Sequence, residues 1–353
     1  MGKKQSAYAK AGVDIDAGNR AVKLMKKHLR STYNQFTLSV VGTFSGLFDA
    51  SVIKEMKNPV LVSSIDSVGT KLMVAEMMNQ WTIGQDIVNH CVNDILAMGA
   101  RPLFFIDYLA AAKLKPEIMK EIVAQMAIAC KRVNMPLITG ETAEMPSVYR
   151  EGRHDVVGCI IGVVERNKII NGSKIAEGDI LIGLRSNGLH TNGYSLVRKA
   201  FFESSPPCTV NTYHGTLGTT VGEELLKVHK CYFNSVYPLL EISDIEIHGI
   251  AHITGGGFFE NIGRLLPKGL YAKISYKWQI PPVFKHIQDV ERVSDAEMRR
   301  VFNLGIGIVL IVPFEHVKKV RGILKQCEEP TNIIIGTIDK KTRSIKEKVV
   351  FTY

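Results

Sequence analysis

Val60-Leu61-Val62-Ser63-Ser64-Ile65-Asp66-Ser67-Val68-Gly69-Thr70-Lys71 begins apolar and closes on an acid set among small residues. Two further runs share this plan: Leu103-Phe-Phe-Ile-Asp107, and Leu137-Ile-Thr-Gly-Glu141-Thr-Ala-Glu-Met-Pro146. Apolar runs of this length, bounded by glycine, proline and serine, predict strands. Acids at strand ends, backed by glycine amides, gather Mg²⁺ ligands and phosphate-facing N–H groups at one sheet edge. The pattern points to a nucleotide site built without a Walker loop.

Helices are predicted before and between these strands. Over Ala17–Tyr33, helical spacing puts Val22, Met25, Leu29 and Tyr33 on one face. Lys26 falls about 40° from Val22 at ~100° per residue, on the edge of that stripe. It either snorkels out past the core or aims at a phosphate. Over Ile83–Met98, the residues Ile87, Cys91, Ile95 and Met98 share a face with Asp94 in its middle. A carboxylate there needs a lysine partner or a cation, because desolvating it alone is costly. Pro116–Val133 reads as a plainer helix, with proline in its first turn and Ile118, Ile122, Met126, Cys130 and Val133 as its buried stripe.

After an apolar strand at Val156–Glu165, the polar stretch from Asn167 to Asp179 predicts a domain boundary near Gly172. The domains are then 1–172 and 173–353. The second half restarts with a strand, Asp179–Leu184, and a donor-rich loop, Arg185-Ser-Asn-Gly-Leu-His-Thr-Asn-Gly-Tyr-Ser195, before a helix. His190, Thr191 and Asn192 at a helix start favour an anion or a sugar hydroxyl. Gly222–Ile242 reads as one helix. Gly255, Gly256 and Gly257 forgo side-chain packing and invite close backbone approach to a phosphate, flanked by His248, His252, Thr254 and Asn261.

The bulk composition is that of an ordinary globular protein: 353 residues, 46% hydrophobic and 22% charged. That length suits two domains. A net charge of +10 favours a polyanionic ligand such as phosphate. Basic residues are scattered, apart from Lys23–Arg30 and Lys340–Lys348, so nucleic acid is not the expected partner. The cysteines (Cys91, Cys130, Cys159, Cys208, Cys231, Cys327) lack any Cys-x-x-Cys pair and read as reduced cytosolic thiols. Gly2 and Ser6 fit a loose myristoylation pattern that is common by chance. No run approaches the ~18 apolar residues of a membrane span.

Taken together, these blocks resemble aminoimidazole ribonucleotide synthetase, the phosphoribosylformylglycinamidine cyclo-ligase family. The resemblance begins at Tyr8-Ala-Lys-Ala-Gly-Val-Asp-Ile-Asp-Ala-Gly-Asn19 and continues through Asp66–Lys71, Cys91-Val-Asn-Asp94, Pro102–Tyr108 and Gly140-Glu-Thr-Ala-Glu-Met-Pro146. In the second half it takes in His190–Leu196, Ala251–Gly257 and Phe302-Asn303 with Gly305 and Gly307. It implies an N-terminal α/β domain whose mixed sheet pairs across a homodimer, an α+β C-terminal domain, and an active site in the cleft between them. It also implies ATP-dependent, Mg²⁺-assisted ring closure of formylglycinamidine ribonucleotide in the cytoplasm.

On that chemistry, γ-phosphoryl transfer to the formyl oxygen makes an iminophosphate, and the amidine nitrogen then attacks and expels phosphate. The protein positions and neutralises charge. Asp66 and Asp94, with Glu141 behind them, are the expected Mg²⁺ ligands, and Gly69, Thr70, Lys26 and Lys71 face the ATP phosphates. His190, Thr191, Asn192 and Gly255–Gly257 hold substrate and phosphate, and His248 or His252 moves protons. Ser67 and Val301 replace a usual glycine and threonine, and Val41–Gly46 carries fewer glycines than the family's mobile loop. A thiamine-monophosphate kinase-like or selenophosphate synthetase-like relative is the alternative. A selenide-handling enzyme would want a cysteine near the N-terminus, and none precedes Cys91. A silent scaffold gains nothing from keeping Lys26, Asp66, Asp94 and Glu141 together.

Overall fold

A computed structural model describes residues 11–276, 278–327 and 329–352. Gly2 and Ser6, and the start of the family motif at Tyr8, lie outside the described residues. The chain forms two compact units: one runs to Cys91 and resumes over Pro102–Val163, and the other comprises Val92–Arg101 and Val164–Tyr353. By packing, the chain passes into the second unit after Val163, nine residues before Gly172. Packing explains the shift, since Leu96 and Ile170 are buried in the second unit's core with Ile182, Leu184, Val236 and Leu310.

In the first unit, β1 (Pro59–Ser67), β2 (Arg101–Ala111), β3 (Leu137–Glu144) and β4 (His154–Glu165) form a sheet in the order β1-β4-β2-β3. β2 and β3 run parallel, with Asp107 opposite Gly140 and Tyr108 opposite Glu141. Side chains alternate with the strand period. Leu103, Phe105, Leu109, Val156 and Ile160 are buried, whereas Phe104, Ile106, Val157 and Ile161 are half-buried. Asp66 does sit at the end of its strand. Asp107 and Glu141 do not, because β2 and β3 run on past them to Ala111 and Glu144.

The Pro116–Arg132 helix buries Met119, Ile122, Met126 and Cys130. Against it packs the Ile15–Arg30 helix, whose N-cap Asp14 accepts from the Ala17 N–H. That helix buries Ala21 and Met25 and leaves Val22 41% exposed, so its apolar face is rotated from the predicted stripe. Lys26 is exposed.

The second unit contains β5 (Ile180–Arg185), β6 (Tyr213–His214), β7 (Thr219–Thr220), β8 (Gly249–His252), β9 (Leu270–Ser275), β10 (Ile306–Val312), β11 (Ile333–Lys340) and β12 (Val349–Thr352). Six of these pair in the order β12-β9-β11-β5-β10-β8, and β6 pairs with β7 alone. β10, every residue of it buried, lies antiparallel to both β5 and β8. Burial on both faces accounts for its unbroken Ile306-Gly-Ile-Val-Leu-Ile-Val312 run.

The predicted helix Gly222–Ile242 is two helices, Val221–Leu225 and Phe233–Leu240, with a non-helical segment between them. Long-range hydrogen bonds displace the helical ones there. The Tyr232 N–H donates to Asn93 Oδ1 at 2.9 Å, and the Lys230 carbonyl accepts from Asn93 Nδ2 at 2.8 Å. Tyr232 is fully buried, its hydroxyl donating to the Arg185 carbonyl at 2.9 Å.

Candidate active site

β8 ends on His252, whose Nδ1 lies 2.8 Å from Asp94 Oδ1. Asp94 therefore has a partner of the kind its place on an apolar helix face demands, the imidazole of His252. His252 Nε2 lies 3.1 Å from Nε2 of His229, and His229 Nδ1 lies 3.3 Å from the Thr191 hydroxyl. His190 stacks on His229 with centroids 4.0 Å apart, in a left-handed conformation at φ 61° that non-glycine residues seldom adopt. The loop before the Tyr194–Phe202 helix and the end of β8 thus meet around a buried histidine cluster.

Asn192 connects this loop to the glycine turn, its Oδ1 lying 3.7 Å from where a Cβ on Gly255 would project. Asn261 Nδ2 ties that turn down by donating to the carbonyls of Thr254, Gly255 and Gly257. Only Gly255 keeps the open space that a phosphate-facing backbone needs. A Cβ on Gly256 would meet the Glu260 side chain at 2.7 Å, and one on Gly257 the Arg299 carbonyl oxygen at 1.9 Å. Both also have positive φ, 89° and 56°, so turn geometry and packing require these two glycines.

In the first unit, Asp66 is half-exposed. His90 Nε2 lies 2.9 Å from its Oδ2, and the Ser67 N–H donates to its Oδ1 at 2.7 Å. Gly69 and Thr70 follow on the surface, Gly69 at φ 67°. Lys71 departs from expectation: it is fully buried, with Nζ 2.7 Å from Asp86 Oδ2. Burial pulls its pKa below the usual lysine range, and Asp86 opposes that shift. Facing the core, Lys71 serves the fold and does not reach for phosphate.

Glu141 is exposed on β3, at the opposite edge of the sheet from β1. Three strand spacings, about 14 Å, separate these edges, far beyond the reach of one Mg²⁺. Within one chain Glu141 and Asp66 cannot ligate the same ion. Asp107 is buried facing the helices, and burial pushes its carboxyl up to about 7.

His248 is also displaced from the predicted site. It precedes β8 and His252 ends it, which puts about 13 Å of extended strand between them. Its Nδ1 lies 2.7 Å from Asp179 and its Nε2 3.2 Å from Glu246. The hydrogen bond to Asp179 holds the imidazole above its ordinary range. Of the two candidate histidines, His252 is the one beside Asp94.

Sequence reasoning missed His90, Asn93 and His229. His90 carries a detectable signal, standing one helical turn before Asp94. Asn93 lies inside a quoted motif without an obvious role. His229 had none, because it falls in a stretch that reads as mid-helix.

Residues 48–164 match the model described as AIR synthase related protein, N-terminal domain, and residues 176–347 match the corresponding C-terminal domain. The phosphoribosylformylglycinamidine cyclo-ligase of Alkaliphilus oremlandii (strain OhILAs) is 49% identical over 93% of this chain and 95% of its own length. That of Alkaliphilus metalliredigens (strain QYMF) is 47% identical over 95% and 96%. Among solved structures, thiamine-monophosphate kinase from Stenotrophomonas maltophilia K279a superposes with TM-score 0.68 at 14% identity, covering 93% of this chain and 95% of that one. Hydrogenase maturation protein HypE in complex with ATP gives TM-score 0.66 at 16% identity, covering 97% and 93%. At such identities the likeness is one of fold, and the kinase-like alternative gives way to the far more similar cyclo-ligases. Matched in both halves and along nearly its whole length, the chain belongs to the phosphoribosylformylglycinamidine cyclo-ligase family.

Proposed function

We propose that the protein closes the imidazole ring of purine precursors, converting formylglycinamidine ribonucleotide and ATP to aminoimidazole ribonucleotide, ADP and phosphate. The observation that carries this reading is the 45–49% identity to cyclo-ligases over nearly the full length. ATP use is in keeping with the fold neighbour solved with ATP. The reaction belongs in the cytoplasm, where the free cysteines remain reduced. Among the described residues no helix is long and apolar enough to cross a membrane.

Asp66, oriented by His90, and Asp94, oriented by His252, are each proposed to offer the hard carboxylate oxygen that Mg²⁺ prefers. Mg²⁺ would neutralise charge on the ATP phosphates. Lys26, exposed and unburdened by packing, is proposed to meet the γ-phosphate, and Gly69 and Thr70 to offer donors beside it. His190, Thr191, Asn192 and Gly255 are proposed to hold the ribonucleotide. His252, oriented by Asp94, is proposed to take a proton during ring closure.

The half-buried face of the first sheet supports a homodimer. Leu61 and Ile65 on β1 are 64% and 69% exposed, and Phe104, Ile106, Val157 and Ile161 continue an apolar surface across β2 and β4. A face this apolar fits a second copy of the same sheet.

The test is to incubate the protein with formylglycinamidine ribonucleotide, ATP and Mg²⁺ and follow the aminoimidazole product. Product with the native protein, and none with a normally folded Asp94→Asn variant, is expected. No product from native protein overturns the activity, and normal turnover by Asp94→Asn overturns the metal role.

A further inference from the structure

We propose that the outward face of the Val317–Gln326 helix, with Phe314 at its head, is a docking surface for an acidic amphipathic helix of another protein. The helix buries Val317, Val320 and Leu324 and turns its other side to solvent. At ~100° per residue, Lys318, Gly322 and Lys325 fall within about 60° of one another on that side, and Arg321 borders them. Phe314 stands just before the helix, in the short turn Phe314–His316, and is 75% exposed.

Two grooves flank this stripe. One, of about 490 Å³, runs past Phe314, Arg321 and Lys325, and the other, of about 470 Å³, past Lys319, Ile323 and Gln326. Glu315, Lys318 and Gly322 line both. Among the described residues, its chain neighbours and the helix backbone aside, no atom lies within 4 Å of where a Cβ on Gly322 would stand. Its φ is also outside the left-handed region. Neither packing within this chain nor backbone geometry therefore requires glycine at 322, where alanine would make the more stable helix. What glycine supplies is a gap in the ridge of side chains, of the kind into which a crossing helix packs.

The charges on this face select the partner. Among the described residues neither Lys318 nor Lys325 has an acidic partner, and Arg321 donates to Asn332 at 2.9 and 3.4 Å. Positive charge thus recurs at i, i+3 and i+7, the spacing at which carboxylates line one face of a partner helix. A second copy of the chain is a poor match, because each carries a net charge of +10. Glu315, at the head of both grooves, repels phosphate and so disfavours nucleic acid and anionic lipid. Phe314 is the apolar anchor such a contact needs.

The probe is an acetylated, amidated helical peptide with glutamates every three to four residues on one face and leucines beside them. It is titrated against the full-length protein by fluorescence anisotropy, an assay that needs no substrate and so is independent of ring closure. Saturable binding that weakens as salt rises is expected. Gly322→Leu fills the gap with a better helix former, and Lys318→Glu combined with Lys325→Glu reverses the charge; each should weaken binding about tenfold with the melting temperature kept. Phe314→Ser should do the same. No binding up to about 1 mM overturns the docking surface. So does equal binding of a scrambled peptide, tighter binding of oligouridylate or phosphatidylserine vesicles, or undiminished binding by the Gly322→Leu and charge-reversed variants.

Discussion

Lys71 Nζ and Asp86 Oδ2 lie 2.7 Å apart with neither side chain reaching solvent. A buried pair of this kind costs most when half of it is removed, because the remaining charge is stranded. Lys71→Met should destabilise the fold by about 3–5 kcal/mol, and Lys71→Met with Asp86→Leu should recover most of that loss. Urea unfolding of the three proteins measures it. A mild Lys71→Met variant with abolished turnover would return the lysine to the phosphate site.

Asp107 makes stability depend on pH. Its carboxyl sits near 7 in the fold against 3.8 as the reference value, through burial. Between those values the folded chain holds a proton that the unfolded chain has released. Stability is therefore full below about pH 4, declines as pH rises through about 7, and then levels off, a span of about 4 kcal/mol. Asp107→Asn should flatten that slope, read from urea midpoints at pH 5 and pH 8. Identical slopes in both proteins would show the carboxyl to be solvated.

The glycine turn separates packing from ligand contact. Gly257→Ala forces a Cβ onto the Arg299 carbonyl oxygen at a left-handed φ and should cost about 2–4 kcal/mol. Gly255→Ala has open space, so its melting temperature should match the native protein while its KM for the ribonucleotide rises. An unchanged KM would remove Gly255 from the substrate site.

Lys26 is exposed, so Lys26→Ala should alter stability by no more than about 0.5 kcal/mol. Turnover should nevertheless collapse. Unchanged kinetics would leave it an ordinary solvated lysine.

Leu61→Asp combined with Ile65→Asp puts charge on the exposed apolar face of β1. Light scattering should then report half the native mass, and an unchanged mass would place the interface elsewhere.

Much of this architecture is legible in the residue order. Asp66 closes β1 as its run of residues predicts, and the Pro116–Arg132 helix buries Ile122, Met126 and Cys130 as its spacing requires. Local pattern suffices there, because strand and helix periods are properties of consecutive residues. Pattern failed where partners are remote. Lys71 and Asp86 are fifteen positions apart, and only packing shows that they neutralise each other. Gly257 is required by Arg299, and the helix break that carries His229 is imposed by Asn93.

The order of residues alone determined which segments become strands and helices, and which acids, glycines and histidines were candidates for chemistry. It also carried the family. Tertiary structure decided which candidates are available: Asp94 joined to His252, His248 bound to Asp179 at the far end of the strand, and Lys71 sealed in the core. The reason is physical. Periodicity assigns a side chain to a face, but its charge partner and its exposure come from distant residues brought together only when the chain folds.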